Sequence, residues 1–114
     1  MKTITRDELW SSIQANEKLT LIEALSQDEF DKGHIAGAIR MTKDEVEAQA
    51  PKLLTDKNAR IVVYCANLEC NASPAVTGKL TSLGYTDVSD YKEGKADWIK
   101  AGHPVQPSPA IASV

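Results

Sequence analysis

The sequence predicts an α/β domain: a central, mainly parallel five-stranded sheet with helices on both faces. Three observations carry this. Short apolar runs alternate with amphipathic helical segments from end to end of the chain. The helical segments are punctuated by Ser or Thr at their starts and by Gly33 and Gly84 at their ends. The strongest run, Arg60-Ile61-Val62-Val63-Tyr64, is short, β-branched and aromatic, as a strand buried inside a sheet is.

Taken in order, Lys2 to Ile4 reads as a short first strand. Thr5 then opens a helix with Glu8 three residues on, a capping box, and Leu9, Trp10 and Ile13 form its apolar face. Leu19 to Ile22 is the second strand, and the polar stretch Ser26 to Lys32 is a short helix ended by Gly33. Ala38 to Met41 is a weak third strand. Thr42 and Glu45 form a second capping box, and Pro51 closes or kinks the helix that follows. After the strand at Arg60 to Tyr64, Ser73 is a good N-cap and Pro74 suits a first helical position, so a helix runs from Pro74 to Leu83. Val88 to Tyr91 is the last strand and Ala96 to Lys100 a closing helix around Trp98. Residues 1–105 form one domain, and residues 106–114, rich in Pro, Ser and Ala without periodicity, read as a mobile tail.

Bulk properties narrow the function classes. A chain of 114 residues is long enough to bury a core without disulfides or metal to hold it. Its net charge of -3, with Lys and Arg scattered, offers no basic face for nucleic acid. No apolar stretch approaches the roughly 20 residues that span a bilayer, and the N-terminus has no apolar signal core, so no membrane partner is expected and the expected location is cytoplasmic. Cys65 and Cys70 alone do not make the multi-bridge framework of a small secreted domain, which agrees with a reducing compartment. Oligomeric state is not legible.

Cys65 is the most informative residue. It closes the strongest strand, and a loop then leads to the helix start at Ser73-Pro74. In open parallel sheets ligands collect beyond the carboxyl ends of the strands, where loops and helix N-termini converge. Positive potential from a helix end lowers a thiol's pKa, so Cys65 suits a nucleophile there, although a packed, inert cysteine also fits a strand end. Glu23 after the second strand and Lys92 after the last should reach the same edge.

These residues carry a family resemblance. Leu21-Ile22-Glu23, followed by Glu29-Phe30-Asp31-Lys32-Gly33-His34-Ile35-Ala36-Gly37-Ala38, resembles the early signature of rhodanese-like domains, L-I-D-V-R and then E-F-x-x-G-H-I-x-G-A. Val62-Val63-Tyr64-Cys65 looks like the strand that delivers their active-site cysteine. Gly94-Lys95-Ala96-Asp97-Trp98, with Gly102-His103-Pro104-Val105, is similar to their closing segment, so the resemblance covers roughly Thr3 to Val105. It implies the single-domain, three-layer rhodanese-like fold and a sulfurtransferase or persulfide carrier that moves sulfane sulfur through a Cys65 persulfide. The partners implied are a small sulfur donor or a protein persulfide donor, and a thiol acceptor. Such chemistry divides a difficult exchange through one covalent intermediate and needs no metal or organic cofactor.

The active-site loop departs from the family pattern. Members that use thiosulfate usually carry C-R-S-G-x-R-S, whose cations hold the donor's sulfonate. Here the loop is Cys65-Ala66-Asn67-Leu68-Glu69-Cys70-Asn71-Ala72-Ser73, longer, without Lys or Arg, and with one Glu. Glu69 opposes an anionic donor, which makes thiosulfate a poor expectation. The family's D-x-R is Glu23-Ala24-Leu25, and its Gly-Gly before the final helix is Glu93-Gly94. Lys92 either supplies a cation to the loop or is a solvated surface lysine, the simpler reading. Cys70 either resolves a persulfide or sulfenic acid on Cys65 or is a small residue turned inward. The inward residue is the simpler reading, since the spacing does not establish the Cα separation a disulfide requires.

Other conspicuous residues read as structural. His34 is a hydrogen-bonded framework residue, and His103 is exposed near the tail. Trp10 and Trp98 are packing anchors, Tyr64 presents its hydroxyl at an edge, Asn67 and Asn71 brace the loop, and Ser73 caps the helix. Zinc at Cys65, Cys70, His34 and His103 fails on loose cysteine spacing and the lack of an H-x3-H pair. The alternative to sulfur transfer is a non-catalytic rhodanese-like module that binds a partner or senses oxidants through Cys65 and Cys70. A phosphatase or arsenate reductase would need arginine six positions beyond the cysteine, where this chain has Asn71.

Overall fold

Alternation of strand and helix is realised in a computed structural model that describes residues 1–107. The elements run β1 (Lys2–Thr3), α1 (Arg6–Gln14), β2 (Thr20–Glu23), α2 (Gln27–Lys32), β3 (His34–Ile35), β4 (Ile39–Arg40), α3 (Val46–Leu53), β5 (Ile61–Tyr64), α4 (Ala72–Ser82), β6 (Val88–Tyr91), α5 (Gly94–Lys100) and β7 (Val105–Gln106). The main sheet has the order β1-β6-β5-β2-β4, and every pairing in it is parallel. β5 is thus the middle strand, with β6 and β2 on either side, which explains why all four of its residues are buried.

Side-chain alternation along the strands sorts the core into two layers. Ile22, Ile61, Val63 and Val88 face one way and pack with Val46 and Ala50 of α3, Val76 and Leu80 of α4, and Cys65. Leu21, Val62, Tyr64 and Tyr91 face the other way and pack with Leu9 of α1, Ile35 of β3 and Trp98 of α5. Cys65 therefore belongs to the α3/α4 layer, whereas its neighbour Tyr64 belongs to the α1/α5 layer.

Local signals set most boundaries. The Thr5–Glu8 capping box forms in both directions, and Ser26 caps α2 through the Glu29 N–H before Gly33 ends the helix. Pro51 does not close α3, which continues to Leu53. The Leu54 N–H still reaches the Ala50 carbonyl at 2.7 Å, and the Tyr85 hydroxyl shares its one proton between the carbonyls of Leu54, at 2.7 Å, and Ala50, at 3.1 Å, so the last turn is held from outside. Thr42 and Glu45 do bond, but in the turn ahead of α3 rather than as its cap.

Two differences from the sequence reading bear on the site. α4 begins at Ala72, so Ser73 lies inside its first turn, and Asn71, which precedes the helix, makes no side-chain cap bond. Ser73 is buried instead, and its hydroxyl favours the charged form of Asp90 of β6. Gln106, read as the start of a tail, pairs with His34 in a two-stranded antiparallel sheet of β3 and β7. Beyond Pro107, residues 108–114 of that expected tail lie outside the described residues. Among the described residues no helix is long and apolar enough to cross a membrane.

Candidate functional site

The middle strand delivers Cys65 to the carboxyl edge of the sheet, where the residue is 1 % exposed. The loop that follows turns tightly: Asn67 accepts the Glu69 N–H on its side-chain oxygen and the Cys70 N–H on its carbonyl. Asn67 thus braces the loop as its residue type suggests. The turn returns Cys70 to within 6.4 Å of Cys65, Cα to Cα, inside the range of about 4.4–6.8 Å for disulfides, and the two sulfurs are bonded. Cys70 is partly buried against the α3/α4 core, as the inward reading has it, and is also bonded to Cys65, because the Asn67 turn supplies the proximity that spacing alone left open. The structure is therefore the oxidised form of the loop, in which Cys65 carries no free thiolate.

The start of α5 fixes the loop from below. The backbone N–H groups of Lys95 and Ala96 donate to the carbonyls of Cys65 and Ala66, each at 2.8 Å. This close docking needs glycine at position 94. Gly94 has φ +72, and a Cβ there would lie 2.6 Å from the Cys65 carbonyl oxygen and 2.9 Å from the Asn67 nitrogen. The Glu93-Gly94 pair thus keeps the glycine that the fold requires.

Beside the loop lies a cavity of about 370 Å³, lined by Leu68, Cys70, Asn71, Ser73, Pro74, Asp90 and Lys92. Lys92 is exposed and supplies a cation to this cavity, while the loop itself supplies none. Glu69 is also exposed and is not among the lining residues. Leu68, 63 % exposed, presents an apolar side chain at the rim. Ala72, with Asn71 and Ala75, lines a second cavity shared with Ala24, Thr42, Lys43 and Asp44.

Asp90 is the residue that sequence reasoning missed. It is 2 % exposed, and its Oδ1 has no hydrogen-bond partner. Burial pushes its carboxyl above the ordinary aspartate value, with Glu93 adding to the rise, while the Ser73 hydroxyl and the Lys92 charge oppose it. A signal was present: an acid in the buried run Val88-Ser89-Asp90-Tyr91 is out of place unless it has a task. In the parallel register Asp90 lies opposite Val63, two residues before Cys65 on the same face.

Glu23 ends the second strand as expected, but its side chain is fully buried on the other face. Its Oε1 accepts the Tyr64 hydroxyl at 2.8 Å, and its Oε2 accepts Lys95 Nζ at 3.1 Å. Lys95 Nζ also donates to the carbonyls of Glu29 and Gly33. Tyr64 is not at an edge: its hydroxyl is buried, accepts the Ile35 N–H, and is held in the neutral form by burial and by the Glu23 charge. Glu23, Tyr64 and Lys95 thus brace the sheet against α2 and α5 and do not enter the cavity.

The histidines are structural. His34 is buried, with Nδ1 2.9 Å from the Phe30 carbonyl and its ring stacked on Phe30. His103 is not freely exposed as expected, since it stacks on Trp10 at 4.1 Å and leans on Trp98. Trp98 is fully buried and donates its indole N–H to Pro104, as a packing anchor does. Among the described residues no group of three or more His, Cys, Asp or Glu is disposed to hold a metal ion.

Comparison with known proteins agrees with this architecture. A region of an HTH-type transcriptional regulator from Mycobacterium tuberculosis is 32 % identical over 102 residues, covering 90 % of this chain but 43 % of the regulator. The uncharacterized protein YibN of Escherichia coli is 33 % identical over 107 residues, covering 92 % of this chain and 72 % of YibN. Among solved structures, a rhodanese-related protein from Thermoplasma volcanium superposes with a TM-score of 0.77 at 26 % identity, covering 93 % of this chain and 98 % of that one. A thiosulfate sulfurtransferase from Pseudomonas aeruginosa superposes with a TM-score of 0.84 at 21 % identity, covering 94 % of this chain and 20 % of that one, which is a likeness of fold. The family model described as a rhodanese-like domain matches residues 5–101, and with the parallel sheet and strand-end cysteine it answers the question the sequence raised: the chain belongs to the rhodanese-like domain family.

Proposed function

We propose that the chain carries sulfane sulfur as a persulfide on Cys65. The observation that supports this most is the placement of Cys65 at the end of the middle strand, in a loop pinned by the first amides of α5 and bordered by an open cavity. Reduction of the disulfide exposes the thiol pair. The Cys65 thiolate then attacks the outer sulfur of a persulfide donor, the donor leaves as its thiolate, and Cys65 holds the sulfur until a thiol acceptor takes it.

The cation-poor loop favours a low-molecular-weight or protein persulfide over thiosulfate, whose sulfonate would have Lys92 as its only cationic lining residue in the cavity. The test is mass spectrometry of reduced protein after exposure to a small persulfide, mercaptopyruvate and thiosulfate. With Cys70 replaced by Ser, so that no second thiol can discharge the adduct, one sulfur atom should be added from the persulfide, and Cys65→Ser should abolish it. A Cys70→Ser protein that stays unmodified, or an adduct that survives Cys65→Ser, refutes the reading.

A second reading is favoured by the Cys65–Cys70 disulfide itself: a non-catalytic module that senses oxidants or binds a partner. The likeness to part of a transcriptional regulator lends it support. It requires a disulfide that forms and opens reversibly with no turnover on any of those donors.

A further inference from the structure

Three features around the cavity are unused by a simple carrier. Cys70 is within bonding reach of Cys65 and also lines the cavity. Asp90 lines the same cavity and has a buried carboxyl oxygen without a partner. Such an oxygen is costly to bury, and in native structures an orphan of this kind signals a proton or ligand that is absent from the state observed. The state observed is the disulfide, which has lost both S–H donors.

Resting on the persulfide reading above, we propose that Cys70 discharges the Cys65 persulfide as hydrogen sulfide, closing the disulfide, with Asp90 taking the Cys70 proton. The carboxylate of Asp90 accepts the proton of the Cys70 thiol. The Cys70 thiolate attacks the Sγ of Cys65, forming the Sγ–Sγ bond and breaking the bond from Cys65 Sγ to the sulfane sulfur. The sulfane sulfur leaves as HS⁻ into the cavity and is protonated to H₂S. It is reduced by two electrons, and the two cysteine sulfurs supply them in becoming the disulfide. A dithiol reductant resets the pair.

Groups of opposing influence surround Asp90. Burial and Glu93 favour its acid form, while Lys92 and the Ser73 hydroxyl favour the carboxylate. The first turn of α4, which packs on it, contributes no acidic group. The result is a chain that releases sulfide in one turnover without a separate acceptor, which a carrier or a plain redox sensor does not do.

The experiment loads fully reduced protein anaerobically with cysteine persulfide, removes excess donor by rapid desalting, and follows released sulfide and protein mass together. Wild type should release one sulfide per chain as its mass falls to that of the disulfide form. Cys70→Ser should load and keep its persulfide. Asp90→Asn should release sulfide about tenfold or more slowly near pH 7, with a rate that climbs with pH through the ordinary thiol range near about 8.5. Wild type should reach its plateau below that range, so its own pH profile reports on Asp90 even where the variant folds poorly. A wild-type persulfide that persists beside a loaded Cys70→Ser overturns this inference and leaves the carrier reading standing. Failure of Cys70→Ser to load overturns both. Coincident pH profiles for wild type and Asp90→Asn overturn the role of Asp90.

Discussion

Gly94→Ala should disable the site without touching either cysteine. Gly94 has φ +72, and the added Cβ would sit 2.6 Å from the Cys65 carbonyl oxygen, 2.9 Å from the Asn67 nitrogen and 3.0 Å from the Ala66 carbonyl carbon. All three obstacles are backbone, so no flexible side chain can swing away. Holding alanine in the left-handed region costs about 1–2 kcal/mol, and forcing a methyl into packed backbone typically adds about 1–3 kcal/mol. If the loop lifts instead, the bonds from Lys95 and Ala96 to Cys65 and Ala66 are lost, at about 0.5–1.5 kcal/mol each. Either route gives a destabilisation of about 2–5 kcal/mol, and the second also moves the Cys65 carbonyl and slows persulfide loading. Urea denaturation of the reduced proteins, with loading followed by mass spectrometry, measures both. A stability change within about 0.5 kcal/mol together with unchanged loading refutes the claim that α5 clamps the loop through this glycine.

The remaining predictions concern the supports of the fold. Lys95→Met leaves Glu23 fully buried without its cation, and denaturation should show a loss of about 3–5 kcal/mol; a loss under about 1 kcal/mol contradicts the brace. Adding Glu23→Gln to Lys95→Met should return part of that loss, since the two residues share one network and their effects are not additive. Glu45 accepts bonds from Arg40 and from the amide and hydroxyl of Thr42, which hold its carboxyl at about 2 against an ordinary 4.5. Because the folded value is depressed, its stabilisation is full above about pH 4.5 and disappears as pH falls toward about 2. Glu45→Gln should therefore cost about 1–2 kcal/mol at pH 7, discounted for partial exposure, and wild type and variant should converge in acid; a constant difference across that window refutes the assignment.

Strand-rich, locally signalled parts of the fold were legible in the chain. Arg60 to Tyr64 and Val88 to Tyr91 read as strands because β-branched and aromatic residues dominate them, and both occur within a residue of the expected bounds. The Thr5–Glu8 cap and the Gly33 stop are contacts between residues close in sequence, and such contacts are written in short motifs. What escaped was long-range. β3 and β7 are two residues each and pair across most of the chain, so neither carries a pattern long enough to read. Lys95 looked like any lysine in a polar helix, and only the packing of α5 against α2 and β2 turns its ammonium inward. Ser73 has the right type for a cap, but α4 begins one residue earlier, at Ala72, and buries Ser73 in its first turn. The Cys65–Cys70 pairing depended on a turn closed by Asn67, whose residue type suggested a brace without fixing its geometry.

Alternation of side chains across the sheet separates the two jobs that this edge performs. Cys65 and Asp90 face the α4 side, and there the groups are few, poorly neutralised and next to open space. Glu23, Tyr64 and Lys95 face the α5 side, and there every donor and acceptor is matched and solvent is excluded. A matched network of that kind is rigid, because shifting one member strands a charge in a medium of low dielectric. The rigidity reaches the opposite face through the backbone: Tyr64 is bonded directly to Cys65, and Lys95, locked by its ammonium, donates its own N–H to the Cys65 carbonyl. Satisfied polar groups on one side of the sheet thus keep a carboxyl oxygen without a partner and the bonded cysteine pair in fixed register on the other.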